Sequence, residues 1–228
     1  MTDKGPEQLR FAVLASDVAL FTLKDNELLV RLIHVTRPPH FPNHEGLPGG
    51  VLTEKETAQD AAKRHIETKA GISPSKIYFE QLYTFSEVNR DRRNRVVAVA
   101  YSGFVPWEKL SEEERENTAD AYWLPVKKAK NLAYDHDEML SVAVSRLRTR
   151  SHYTTLLQKL MPKEFTLTEL EQAYEGVLGE PLDKRNFRKK IMKLGVLKEL
   201  PTKKTGGRFR PAQLYSFSSP RVDEIEIL

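Results

Sequence analysis

The sequence predicts an α+β chain of two domains: a sheet covered by helices, then three short helices and a β-hairpin. Three observations predict it. From Arg10 to about Pro106 apolar residues come in short runs rich in Val, Leu, Tyr and Phe, separated by Gly, Pro and Asn clusters, which is the texture of strands and loops. After Ser151 the runs take helical spacing, and strand-like texture returns only near the end. Positive charge is also local. Residues 182–212 carry eleven Lys or Arg against Asp183 and Glu199, while the whole chain of 228 residues has a net charge of only +4. A chain of this length holds one full core plus a smaller one, so the expected division is 1–150 and 151–228.

The elements follow in order. Strands are expected over Phe11–Leu23, broken once, then Glu27–Val35, Ile77–Phe85 and Arg95–Val105. One helix interrupts them: Thr57–Ala70 places Ala58, Ala61, Ala62 and Ile66 at helical spacing and stops at Gly71, which suits a left-handed cap. Ser111–Asp120 reads as an acidic helical or loop insertion, Ala121–Val126 as a short strand, and Glu138–Thr149 as a helix capped by Asp137 or a neighbour. Mixed strands and helices without a repeat suggest helices packed on a sheet. In the second part, helices are expected at Tyr153–Leu160, Leu167–Val177 and Asp183–Leu194, and strands at Val196–Leu200 and Gln213–Phe217. Three helices followed by a hairpin is the order of a winged helix-turn-helix.

Composition narrows the function classes. With 39% hydrophobic and 30% charged residues the chain is expected to fold as a soluble globular protein. It has no cysteine, which excludes disulfides, thiolate catalysis and cysteine zinc sites and agrees with a reducing compartment. No apolar run approaches the roughly 20 residues of a membrane span, and the N-terminus does not read as a signal peptide, so a cytoplasmic protein without membrane contact is expected.

The segment around the first helix carries a motif. Gly50 is followed by Glu56, Arg64, Ile66, Gly71 and Ile72 at the spacing of the Nudix box, and the resemblance implies a Nudix-like α/β/α sandwich. The glutamates on which Nudix chemistry depends fall on His65, Thr68 and Lys69. Positions three and four residues apart share one helix face, where three carboxylates would hold Mg²⁺ or Mn²⁺ beside a pyrophosphate. An imidazole, a hydroxyl and an ammonium do not replace hard oxygen ligands. The expectation is therefore no catalytic residue, no metal and no cofactor, with Lys69 attracting phosphate in a receptor rather than a hydrolase. Glu56 and Glu67 leave weak metal binding open.

Leu29–Arg31, Arg37–Pro39 and Leu47–Gly50 resemble the segments leading into the box, and Arg90, Asp91, Arg95–Val97, Tyr101 and Tyr134–Asp137 resemble the ADP-ribose branch of Nudix proteins. Together with the appended winged helix, the chain resembles the NrtR family of Nudix-related transcriptional regulators of NAD metabolism. That resemblance implies a repressor of NAD biosynthesis or salvage genes, released from operator DNA by ADP-ribose as effector. For such a ligand, Arg37, Lys69, Arg90 and Arg95 are the cationic candidates and Phe85 and Tyr101 the stacking candidates. Gly49 and Gly50 allow close backbone approach, and Glu56 is the retained acid of the box. Phe85 and Tyr101 also fit strand cores. Asp135 and His136 read as turn and cap residues rather than a catalytic pair.

On the expected helix Asp183–Leu194, Phe187, Ile191 and Leu194 form a core stripe, while Arg185, Lys189 and Lys193 centre on the opposite side with Asn186 and Arg188 flanking. In a helix-turn-helix this face reads the major groove of double-stranded DNA. Lys203, Lys204, Arg208 and Arg210 on the hairpin are expected on phosphates or in a minor groove. Two-fold operators imply a homodimer, although no residue establishes it. The competing function is a Nudix ADP-ribose pyrophosphatase with displaced metal ligands and a C-terminal domain for oligomerisation or nucleic acid.

Overall fold

A computed structural model describes residues 12–205 and 211–228. Strand β1 (Val13–Lys24) is the axis of the first part. It is buried from Ala15 to Leu23 because helices cover both faces of its sheet. Ala19, Phe21 and Leu23 join one apolar cluster, and Val18 and Leu20 join the other. Asp25 and Asn26, both at positive φ (50° and 63°), turn the chain tightly into β2 (Glu27–Arg37), as a two-residue hairpin requires. Then come β3 (Phe41–Gly46), β4 (Gly49–Val51) and α1 (Ala58–His65), whose N-cap Thr57 accepts from the Asp60 amide. Residues Ile66–Ala70 continue α1 as a π-helical turn that ends at Gly71 with φ 69°.

Strands β5 (Tyr78–Phe85) and β6 (Val96–Phe104) precede a four-residue helix α2 (Glu112–Arg115) and β7 (Ala121–Pro125). The sheet order is β3-β2-β1-β6-β5, with β4 added to β1 and β7 to β2; β1 runs parallel to β6. Helix α3 (His136–Tyr153) covers one face through Met139, Leu140, Ala143 and Leu147. On the other face, Ala62, Ile66 and Ala70 of α1 and its π-turn meet Val18 and Leu20, so the layers are helix, sheet, helix.

The second part comprises α4 (Leu167–Leu178), α5 (Lys184–Lys193) and the hairpin β8 (Leu197–Lys204) with β9 (Ala212–Phe217). A capping box of Thr166 with Glu169 starts α4, and Gly179 in the left-handed region ends it. Asp183 caps α5 by accepting from the Asn186 amide. The two parts share one apolar cluster, in which Leu23, Leu28 and Leu147 meet Leu170, Tyr174, Phe187 and Tyr215. At Gly176 a Cβ would lie 2.1 Å from the Asn26 carbonyl oxygen, so α4 sits directly on the β1–β2 turn.

Several expectations are corrected. Strand β1 is unbroken: its polar pair Ser16 and Asp17 stays in the ladder opposite Gly50 and Gly49. Strands β3 and β4 are not among the expected strands, and Pro42 is tolerated because β3 is an edge. Helix α3 runs through residue 150, and the helix expected over Tyr153–Leu160 shrinks to a 3₁₀ turn at Leu156–Lys159. Thr154 is extended there and bridges to Glu224, which ends the helix.

Candidate functional site

Between β1, β4, the α1 π-turn and the start of α3 lies a cavity of about 680 Å³. Arg37, Gly49, Gly50, Lys69 and Arg90 line it, as do His65 and Thr68. The Lys69 Nζ donates to the Gly49 carbonyl at 2.5 Å, and the Thr68 hydroxyl is spent on the Arg64 carbonyl at 2.8 Å. Burial, aided by the charges of Lys69 and Arg64, lowers the His65 pKa to about 4 and keeps its ring neutral. Burial also lowers the Lys69 pKa, with the Arg37 charge adding to the effect. These three positions present no carboxylate, and the donor set does not fit a hard divalent cation. Among the described residues no cluster of three His, Asp or Glu is placed to hold one.

The retained acid Glu56 does not face the cavity. It accepts from Arg64 Nε at 2.9 Å, Arg64 Nη2 at 2.5 Å and the Thr53 amide at 2.7 Å, contacts that hold its pKa at about 2. Its role is to fix Arg64, which lines the cavity and donates to the Val51 carbonyl.

Besides Glu56, three expected ligand residues are not brought to the cavity. Phe85 is 5% and Tyr101 7% exposed, each inside an apolar cluster, because their strand register turns them into the core. Arg95 donates to the Ser86 and Glu87 carbonyls and so ties its own loop. The aromatic ring that does line the cavity is Tyr134, held at φ 58° and packed on Phe41 at 4.4 Å between ring centroids. Arg93 lies over Tyr134 at 5.2 Å and is itself held by Asp91 through Nε and Nη2.

Asp135 and His136 differ from the expected turn and cap roles. Asp135 occupies the N-cap position of α3 but makes no capping bond, since both its oxygens accept from Arg90, at 2.7 and 2.6 Å. His136 Nδ1 accepts from the Leu47 amide at 2.9 Å, and burial lowers the pKa of the ring. Asp17, Arg64, Arg93, Tyr134 and His136 are cavity residues that the ligand candidates above omit. The signal for Asp17 was an acid inside an otherwise apolar strand run.

On the second part, α5 buries Phe187 and Ile191 and exposes Arg185, Lys189 and Lys193. Lys184, Arg185, Lys189 and Lys193 make no ion pair among the described residues. Arg188 is also exposed but is not free. It donates from Nε and Nη2 to the two carboxylate oxygens of Glu171, at 2.5 and 2.9 Å, because Glu171 is fully buried and needs a cation. Asn186 Nδ2 donates to Asp183 at 2.8 Å, which engages it at the helix start. Lys203 is exposed, whereas Lys204 reaches Glu169 at 2.5 Å. Arg208 and Arg210 lie outside the described residues.

Two family profiles match this arrangement in order. Residues 14–142 match the NUDIX domain, and residues 157–217 match the NrtR DNA-binding winged helix domain. A curated protein of Acinetobacter baylyi, the ADPR responsive transcriptional repressor NtrR, is 33% identical over 215 residues, covering 92% of this chain and 84% of that protein. The chain belongs to the NrtR family. NrtR of Shewanella oneidensis, in a crystal structure with a 27mer DNA, superposes with TM-score 0.78 at 30% identity, covering 90% of this chain and 93% of that one. The Nudix domain of the same protein, crystallised with ADP-ribose, matches at 27% identity and TM-score 0.51, covering 64% of this chain and 94% of that one. Helix α3 begins inside the NUDIX match, with cavity residue His136 at its first position, and runs on into the interval before the winged-helix match.

Proposed function

We propose that this chain is a transcriptional repressor of NAD biosynthesis or salvage genes that holds operator DNA through its winged helix and is released when ADP-ribose occupies the Nudix cavity. The observation that carries the reading is the identity of the three positions facing the cavity from α1 and its π-turn. His65, Thr68 and Lys69 stand where hydrolases of this fold carry glutamates, so the cavity attracts phosphate but cannot activate water through a metal. Arg37, Arg64 and Lys69 receive the two phosphates, Gly49 and Gly50 let the ligand approach the backbone, and Tyr134 takes the stacking role first expected of Phe85 and Tyr101. The related proteins, one responsive to ADPR and another crystallised with DNA and with ADP-ribose, support the same assignment.

In this reading residues 1–150 sense and 151–228 read DNA, with α3 joining them. Arg185, Lys189 and Lys193 enter the major groove beside Asn186, and Lys203 contacts phosphate. The protein works as a cytoplasmic homodimer on a two-fold operator. Hydrolysis is tested by incubating the chain with ADP-ribose and Mg²⁺ or Mn²⁺ and measuring AMP release. No turnover is expected. A rate near the enzyme median of about 10 per second would favour a pyrophosphatase and overturn the receptor assignment.

A further inference from the structure

At the back of the cavity, Asp17 of β1 is a carboxylate without a hydrogen-bond donor among the described residues. Its side chain is 8% exposed, and among the described residues it accepts no side-chain or backbone hydrogen bond. Its two cationic or polar neighbours stop short: Arg90 Nη2 is 3.8 Å from Oδ2, and His136 Nε2 is 3.7 Å from Oδ1. Both distances exceed hydrogen-bond range. Neither neighbour is free to come closer. Arg90 is held by Asp135 through two bonds, and His136 by the Leu47 amide. Beneath the carboxylate, Gly49 leaves room that no other residue would, since a Cβ there would lie 1.8 Å from Asp17 Oδ1.

A buried acid without donors is unfavourable, and native structures keep such a group only where something else satisfies it. Burial accordingly raises the Asp17 pKa, against the charges of His136 and Arg90 that lower it. The rest of the wall carries Arg37, Arg64, Lys69 and Arg93 for anions; of its two other acids, Asp91 is paired with Arg93 and Asp120 is exposed. A phosphate beside Asp17 would meet a like charge. A hydroxyl would instead donate to it, and a ligand that carries phosphates at one end and sugar hydroxyls at the other satisfies both walls at once. We propose that Asp17 is the hydroxyl-reading residue of this cavity, accepting from a ribose hydroxyl of a nucleoside diphosphate sugar and excluding ligands phosphorylated at that hydroxyl. The proposal rests on the effector reading above, which by itself assigns no partner to the sugar. It makes Asp17 a specificity determinant, separate from the cations that supply phosphate affinity.

The test is calorimetry on the full chain without DNA, using ADP-ribose, inorganic pyrophosphate and ADP-ribose analogues lacking one ribose hydroxyl. Asp17→Asn should weaken ADP-ribose about 10- to 100-fold, the range of a hydrogen bond to a charged group, yet leave pyrophosphate binding equal or tighter. Wild-type protein should bind one deoxy analogue more weakly by a similar factor, and Asp17→Asn should lose that discrimination, as a double-mutant cycle requires. Equal loss of pyrophosphate and ADP-ribose in Asp17→Asn would mean a structural role and overturn the proposal. If that variant fails to fold, the wild-type series decides alone: indifference to every ribose hydroxyl sinks the idea while leaving ADP-ribose as effector. Binding of pyrophosphate without any binding of ADP-ribose would remove the effector reading and this inference with it.

Discussion

The cations of the Nudix cavity and those of the winged helix are the same residue types held in opposite ways. In and around the cavity three guanidiniums have a carboxylate: Arg90 has Asp135, Arg93 has Asp91 and Arg64 has Glu56, whereas Arg37 donates only to the Thr36 carbonyl among the described residues. Lys69 is tied to a backbone carbonyl. On α5, Lys184, Arg185, Lys189 and Lys193 point outward without an ion-pair partner among the described residues, while Arg188 is anchored by Glu171 and Lys190 lies 3.5 Å from Glu226. The difference follows from the ligands. A small anion is held well by groups already fixed in place, because less freedom is lost on binding. A DNA surface gains from releasing counterions along the backbone, and solvated, adaptable side chains serve that purpose.

Substitutions should expose this contrast. The largest effect is expected at Gly49→Val, where the new Cβ meets both the Asp17 carboxylate and, at 2.8 Å, its Cα. Overpacking against backbone should cost about 3 kcal/mol or more, read as a lowered thermal midpoint together with loss of ADP-ribose binding. Retained stability would show that β1 and β4 separate easily and that the cavity is not preformed. Next comes Arg188→Ala, which strips the cation from buried Glu171 and should cost about 1 to 3 kcal/mol of stability in denaturant unfolding. Arg185→Ala should leave unfolding unchanged and instead weaken specific DNA by a comparable about 1 to 3 kcal/mol, with sequence preference relaxed. If Arg185→Ala destabilised the fold and Arg188→Ala altered only DNA binding, the division between anchored and free cations would be wrong.

Smaller effects sharpen the same division. Lys203→Ala should lower the slope of log affinity against log salt by about 0.9 and weaken all duplexes evenly. His65 adds a pH signature. Its folded pKa of about 4 lies below the ordinary 6.5, so the unfolded chain binds the extra proton first. The stability due to the neutral ring is thus complete above pH 6.5 and is lost as pH falls toward 4, a loss that His65→Gln should flatten in thermal melts.

Much of this organisation is legible in the sequence because it is local. Gly71 as a left-handed cap, Asp183 before α5 and the Phe187 and Ile191 stripe each follow from spacing of a few residues. The Nudix spacing from Gly50 to Ile72 likewise lies within one strand-to-helix unit. What is not legible depends on which distant group is met. Period-two patterning puts Phe85 and Tyr101 on a strand but does not say whether their faces meet core or cavity. A helical wheel places Arg188 beside Asn186, yet only the packing of α4 against α5 reveals that Glu171 claims it. Asp17 stands out as an acid in an apolar run, but its surroundings are not legible for the same reason, since they come from β4, α3 and the loop bearing Arg90, far apart in the chain.

In the proposed function the cavity and the DNA surface are coupled, and α3 supplies a physical route. The helix has 18 residues, and the stretch from His136 in the cavity wall to Arg148, which donates to the Val177 carbonyl of α4, spans about 18 Å. The most direct measurement is the affinity of the chain for duplex DNA from upstream of NAD biosynthesis or salvage genes, titrated with and without saturating ADP-ribose. The account predicts weaker DNA binding with the nucleotide, by about 5- to 150-fold, and the same factor in ADP-ribose affinity when DNA is present. Lys69→Glu should bind the duplex normally and ignore ADP-ribose. If ADP-ribose bound wild-type protein by calorimetry and DNA affinity did not move at saturation, the repressor switch would be contradicted.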